Sequence, residues 1–218
     1  MAAIGNTSAQ MSLRDPDVRL MLRVRADEAG AFEELVSRFQ HRLVGVMNHL
    51  VGHVDEAEDL AQEVFLRVYR ARKSYHPRCK FTTWLFTIAN NLALNSLRSR
   101  QRKPVQPLPP QDSSSSFGSR GADQMVPDPG SGPVRKVERR EMAEVIRQAL
   151  EGLNERQRMA VVLNKFEDMN YAEIAAVMGL TTKGVKSLLS RARVNLRAAL
   201  SGYIFSDSEA VPEVSTEE

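Results

Sequence analysis

The chain has 218 residues, 42% hydrophobic and 26% charged, with a formal net charge of +3. That is the composition of a globular protein, enough for one large domain or two small ones, and no run approaches the roughly 18–20 apolar residues of a membrane span. The opening residues lack the basic start and apolar core of a secretory signal, and a single cysteine, Cys79, excludes an intramolecular disulfide framework and suits a reducing cytoplasm.

In chain order, residues 1–14 read as an extension. Asp15 and Pro16 then open a helix as N-cap and first helical residue. Phe32, Leu35, Val36, Phe39, Leu43, Val46, Met47 and Leu50 repeat at three and four, which predicts an amphipathic core helix. A third helix is predicted from about Asp55 to Arg72, with Ala57, Leu60, Ala61, Val64 and Val68 on one face. A fourth covers "FTTWLFTIANNLALNSLRSRQRK", Phe81 to Lys103. Pro104 to Pro133 holds seven of the ten prolines, four glycines and a run of four serines, with no apolar periodicity, and reads as a linker. The expected fold is all-α: a helical bundle at 15–103, a linker at 104–134, a second helical domain at 135–202 and an acidic tail at 203–218. No stretch alternates with period two for long enough to predict a strand.

The charge is segregated. Six Lys/Arg and no acid lie between His76 and Lys103, and five Lys/Arg and no acid between Thr181 and Leu200. Asp55 to Glu63 holds five acids without a base. Two acid-free basic segments suit a polyanion touched at two places; solvated helix faces are the competing explanation. In "YAEIAAVMGLTTKGVKSLLSRARVNLRAAL" a small residue, Ala175, precedes Gly179 in a tight turn, and Thr181 or Thr182 is placed to cap the next helix. This is the pattern of a helix-turn-helix. Its second helix turns Val185, Leu188, Leu189, Ala192 and Leu196 to the core and Lys183, Lys186, Ser187, Ser190 and Arg191 outward, a set suited to phosphates and base edges in a major groove.

The fourth helix raises a separate question. Thr83, Thr87, Asn91 and Asn95 recur every four residues, although Asn and Thr weaken a helix relative to Ala or Leu. Phe81, Trp84, Leu85, Ile88 and Leu92 form the opposing apolar stripe, and we assign Phe81 and Trp84 to the core. An Asn side chain supplies both a donor and an acceptor to an exposed base edge, and the helix ends in Arg98, Arg100, Arg102 and Lys103.

On "DEAEDLAQEVFLRVYRAR", "FTTWLFTIANNLALNSLRSR" and "LNERQRMAVVLNKFEDMNYAEIAAVMGLTTKGVKSLLSRAR", the chain resembles bacterial RNA polymerase sigma factors of the two-domain, extracytoplasmic-function type. The resemblance implies core RNA polymerase and promoter DNA as partners, both as duplex and as melted non-template strand. An anti-sigma factor commonly holds such proteins, and neither membrane insertion nor a cofactor is implied. Asp59, Gln62 and Glu63 match the positions that contact the polymerase clamp; acids early and arginines late in that helix also complement its dipole without any partner. Asn91 matches the position that touches a flipped base of the minus-ten element, with Thr83, Thr87, Asn95 and Arg98 beside it. Lys183, Lys186, Ser187, Ser190 and Arg191 match the readers of the minus-thirty-five element. Lys183-Gly184 stands where many relatives have Gly-Thr, which leaves the preferred promoter sequence open.

Three other classes compete. A stand-alone helix-turn-helix regulator that dimerises through its first domain has no need of the Asn/Thr stripe. An adaptor that binds only another protein is a further reading, although the resemblance implies a protein-binding surface in any case. A metal enzyme rests on His49 and His53 at i, i+4 with Asp55 or Glu56 nearby, and no third ligand, nucleophile constellation or phosphate-binding loop accompanies them. The expectation is therefore a cytoplasmic protein, not an enzyme, with no catalytic residues and no metal.

Overall fold

The structure, a computed structural model, describes residues 15–102 and 133–206. The first segment holds α1 (Pro16–Arg25), α2 (Ala31–Val51), α3 (Val54–Ala71) and α4 (Phe81–Arg102), with a 3-10 turn at Arg72–Ser74 ahead of α4. The second holds α5 (Pro133–Glu151), α6 (Glu155–Lys165), α7 (Tyr171–Met178) and α8 (Thr182–Ser206). Among the described residues there is no strand. Residues 1–14, most of the stretch read as linker, Lys103 and residues 207–218 lie outside them. Helix α5 begins at Pro133, inside that stretch, and α8 runs on to Ser206, past the predicted boundary at 202.

Local chemistry sets the ends of these helices. The Asp15 carboxylate accepts from the amides of Asp17 (2.9 Å) and Val18 (3.4 Å), and Pro16 follows as the first helical residue. Asn154 and Gln157 form a reciprocal capping box on α6, as Asn170 and Glu173 do on α7. Helix α7 ends on Gly179 at φ +63°, a left-handed conformation that glycine adopts without penalty. The Thr181 hydroxyl then accepts from the Gly184 amide at 3.1 Å, so Thr181 rather than Thr182 caps α8.

The first four helices close around Phe39, Phe81, Leu35, Leu43 and Met47, all fully buried. Phe81 meets Phe39 edge-on at 5.0 Å between centroids, and Trp84 meets Tyr75 at 4.9 Å. Phe81 and Trp84 thus both pack with the core, Trp84 only partly covered.

The two halves also pack on each other: α2 against α6, and α4 against α7. One apolar cluster runs from Val18 through Phe39 and Phe81 to Ile174, Val185 and Ala192. Polar ties cross the same seam. Arg158 donates to the carbonyl of Leu50 at 2.8 Å, Lys80 pairs with Glu173 at 2.7 Å, and Arg42 pairs with Glu167. At the end of α2, Gly52 sits at φ +81°, and a Cβ there would come within 3.1 Å of the Glu151 carboxylate. The left-handed conformation favours glycine, and a side chain there would also displace the Glu151 carboxylate by a few tenths of an ångström.

Candidate nucleic-acid interface

Successive residues of an α-helix are about 100° apart, so a four-residue repeat drifts by about 40° per step. Over Thr83, Thr87, Asn91 and Asn95 the drift reaches about 120°. The structure shows the consequence. Asn91 and Asn95 are exposed, Thr87 is half-buried and Thr83 is only 4% exposed. Thr87 donates its hydroxyl to the Thr83 carbonyl at 2.7 Å, the back-bond that mid-helix threonines commonly form. The predicted stripe is therefore shorter than four residues: Asn91, Asn95 and the exposed Arg98 share open solvent, and Thr83 does not join them.

Thr83 lies on a face that also carries Asn90 and Leu97, at spacings of seven. Asn90 is 3% exposed and its side-chain oxygen has no hydrogen-bond partner among the described residues. The C-terminal half covers this side of α4: Lys80 reaches Glu173, and Leu97 and Arg98 line a groove with Leu153, Arg158 and Leu188. The sequence reading passed over Asn90. Its only signal was an Asn-Asn pair, and two adjacent residues of a helix face about 100° apart.

The basic end of α4 is not uniformly free either. Arg100 pairs with Glu56 and donates to the Val51 carbonyl at 3.3 Å, and the Ser96 hydroxyl joins Glu56 at 2.6 Å. Arg100 thus ties α4 to the start of α3, whereas Arg98 and Arg102 are exposed without an ion pair among the described residues. The same contact removes Glu56 from the acidic patch of α3. Asp59 and Gln62 are exposed, and Glu63 pairs with Arg67 at 2.8 Å one turn on. On the same face stand Leu66, 49% exposed, and Tyr69, 42% exposed. Sequence reasoning missed both. Leu66 opposes the Ala57–Ala61–Val64–Val68 stripe, which is the available signal.

On α8, Lys183, Lys186, Ser187, Ser190 and Arg191 are all exposed and Val185, Leu189 and Ala192 are buried, as the periodicity predicts, while Leu188 and Leu196 are only partly buried against the core. Arg191 donates to the Ser187 hydroxyl at 3.1 Å, which orients its guanidinium along the helix. Glu173 anchors the turn from behind. Burial would raise its pKa, but hydrogen bonds from Lys80 and from the Asn170 amide hold it below the usual carboxylate range.

The histidine pair has separated. His49 stacks on Phe166 at 4.2 Å, and burial lowers its pKa, while His53 stands exposed at the N-cap of α3. Among the described residues no helix is long and apolar enough to cross a membrane.

Known proteins share this arrangement. Residues 35–103 match the family model "Sigma-70 region 2" and residues 143–196 match "Sigma-70, region 4". The RNA polymerase sigma-H factor of Pseudomonas aeruginosa is 34% identical over 190 residues, covering 87% of this chain and 96% of that protein. The ECF RNA polymerase sigma-E factor of Escherichia coli is 33% identical over 183 residues, covering 84% and 93%. Among solved structures, CnrH in complex with the cytosolic domain of CnrY shares the fold at a TM-score of 0.63 and 24% identity, covering 86% of this chain and 99% of that one. The sigma factor RpoE from Bartonella quintana, solved with the anti-sigma factor NepR, does so at 0.58 and 23%, covering 79% and 98%. The chain belongs to the sigma-70 family of RNA polymerase sigma factors, of the extracytoplasmic-function type, and directs transcription initiation.

Proposed function

We propose that residues 15–103 bind core RNA polymerase and open the minus-ten element, while residues 135–202 read the minus-thirty-five element as duplex. Asp59, Gln62 and Glu63 make the polar part of the polymerase contact, and exposed Leu66 and Tyr69 add an apolar strip on the same face of α3. Asn91 hydrogen-bonds the edge of an unpaired base, Asn95 and Thr87 flank it, and Arg98 meets the adjoining phosphate. Lys183, Lys186, Ser187, Ser190 and Arg191 enter the major groove. The chain contributes binding and strand capture with no covalent chemistry of its own, and acts in the cytoplasm. An anti-sigma chain restrains it, as NepR partners RpoE.

The observation that carries this reading is the solvent-facing set Asn91, Asn95 and Arg98 on one helix, uncharged amides leading into a cation. A dimerisation helix gains nothing from exposed amides that no neighbour uses. The two promoter elements lie about 25 base pairs apart, or roughly 85 Å at about 3.4 Å per pair, whereas packed helices lie about 8–10 Å apart. Helices α7 and α8 must therefore leave α4 before both elements are engaged.

Run-off transcription with purified core polymerase tests the assignment. Asn91→Ala lowers open-complex formation by about tenfold, the equivalent of one well-made hydrogen bond to the base. Upstream duplex binding stays at the wild-type level. Wild-type permanganate footprints and transcript yield from the variant would remove Asn91 from the site.

A further inference from the structure

The cations of helix α8 are used differently from those of the first five helices. Helices α1 to α5 each place an arginine in an ion pair: Arg23, Arg38, Arg67, Arg100 and Arg147. The five Lys/Arg of α8, namely Lys183, Lys186, Arg191, Arg193 and Arg197, are all exposed, and none belongs to an ion pair among the described residues. Positions 183, 186, 190, 193 and 197 alternate steps of three and four, so four of these cations form one stripe along the helix. That stripe runs back from near the end of α8 to its first turn, the site assigned above to duplex DNA.

We propose that the acidic segment 207–218 docks on this stripe as an intramolecular competitor for DNA phosphates. The segment directly follows the last described residue, Ser206, and holds Asp207, Glu209, Glu213, Glu217 and Glu218 with no Lys or Arg. Five acids follow a stripe of four cations, with Arg191 beside it. From Ser206 back to Lys183 is about 35 Å along the helix, and twelve extended residues span about 40 Å. The segment is long enough to fold back over the whole stripe, and its attachment point puts Arg197 and Arg193 within its first few residues.

Each exposed ion pair shifts an equilibrium by up to about fivefold, and tethering supplies the acids at an effective concentration in the millimolar range. Several such pairs keep the stripe covered at low salt. A duplex offers a denser row of anions and displaces them. The contact lowers affinity for any duplex and penalises non-specific DNA most, because DNA without the right bases has only phosphates to offer.

This proposal rests on α8 being the duplex reader only for its effect on DNA, so the test has two readouts. The full chain is compared with a variant carrying Asp207→Asn, Glu209→Gln, Glu213→Gln, Glu217→Gln and Glu218→Gln. Amide chemical shifts of the two proteins are expected to differ along 183–197. A duplex of about 25 base pairs with unrelated sequence should bind the neutralised chain about three- to tenfold more tightly at about 50 mM salt, with a steeper salt dependence. The difference shrinks below about twofold at about 300 mM salt, where the Debye length is short. Shift changes absent from α8, or centred on Arg98 and Arg102 instead, overturn the proposal. So does tighter DNA binding without shift changes on α8, which would be a whole-molecule charge effect. Shift changes along α8 in a chain that binds no duplex uphold the docking and remove the duplex-reading role.

Discussion

Lys80 Nζ lies 2.7 Å from Glu173 Oε1, an ion pair joining the entry to α4 with the first turn of α7. A second crossing pair, Arg42 with Glu167, lies on the α2 side of the seam. The Lys80 side chain is 59% exposed and its pair contributes at most about 1 kcal/mol. The Glu167 side chain is 3% exposed, and burial raises its pKa even beside Arg42, so removing Arg42 leaves it unpaired at about 1–3 kcal/mol. We expect Lys80→Ala combined with Arg42→Ala to raise the radius of gyration in solution scattering with unchanged far-UV circular dichroism. An unchanged scattering curve would mean that apolar contact alone holds the seam.

Arg158 spreads its guanidinium over the carbonyls of Leu150 (2.9 Å), Glu151 (2.8 Å), Leu153 (3.4 Å) and, across the seam, Leu50 (2.8 Å). Replacement by Ala strands half-buried acceptors and should cost about 2–4 kcal/mol in urea denaturation. Arg158→Lys should recover less than half of that loss, because a single ammonium cannot span the fork. Full recovery by lysine would show that charge rather than geometry is what matters there.

Asn90 offers a buried oxygen with no donor to it among the described residues. Asn90→Leu removes that unmet acceptor and should stabilise the packed form by about 1–2 kcal/mol, or about 3–6 °C in Tm. The same variant should bind a single-stranded minus-ten oligonucleotide less well. A lower Tm would mean that the amide is needed where it is.

The His49 ring packs on Phe166, and burial sets its pKa below the usual histidine value. The unfolded chain then binds a proton that the folded chain refuses. This part of the stability is present above about pH 6.5 and is lost as the pH falls through the window between the unfolded and folded pKa values. Glu167 acts oppositely, since its raised pKa makes the folded chain bind protons more readily just above the ordinary carboxylate range. His49→Phe keeps the ring contact and cannot titrate, so its Tm should fall less than that of the wild type between about pH 7.5 and 5.5. Parallel curves would assign the acid sensitivity elsewhere.

Gly184 has room for a methyl group: its nearest neighbour to an added Cβ is the Thr181 hydroxyl at 3.4 Å, an ordinary contact. Gly184→Ala should stiffen the first turn of α8 and add about 0.5–1 kcal/mol of stability. If activity at the promoter falls while stability rises, the looseness of that turn serves DNA docking.

Much of this molecule was readable from residue order. Asp15-Pro16, Gly179 and the threonines before α8 act through neighbours one to four residues away, so their caps follow from local sequence. The burial of Val185, Leu189 and Ala192 and the exposure of Lys183, Lys186, Ser187, Ser190 and Arg191 follow from the 3.6-residue period. Thr83 and Arg100 were misplaced for a different reason. Periodicity gives the angle at which a side chain leaves its helix and carries no information on what stands opposite. Thr83 is buried by the packing around α4, and Arg100 met Glu56, 44 residues back.

The sequence by itself determined the four N-terminal helices and the helix-turn-helix, several of their caps, two separated basic faces and the family to which they belong. Only the tertiary structure decided that the two halves share one core, that Asn90 and Thr83 are covered while Asn91 is open, and that α8 leaves its cations without ion pairs among the described residues. The physical reason is range: turns and helix faces are set by bonds within a few residues. The choice of which faces meet depends on small differences in burial and pairing between segments more than sixty residues apart, as Lys80 and Glu173 are.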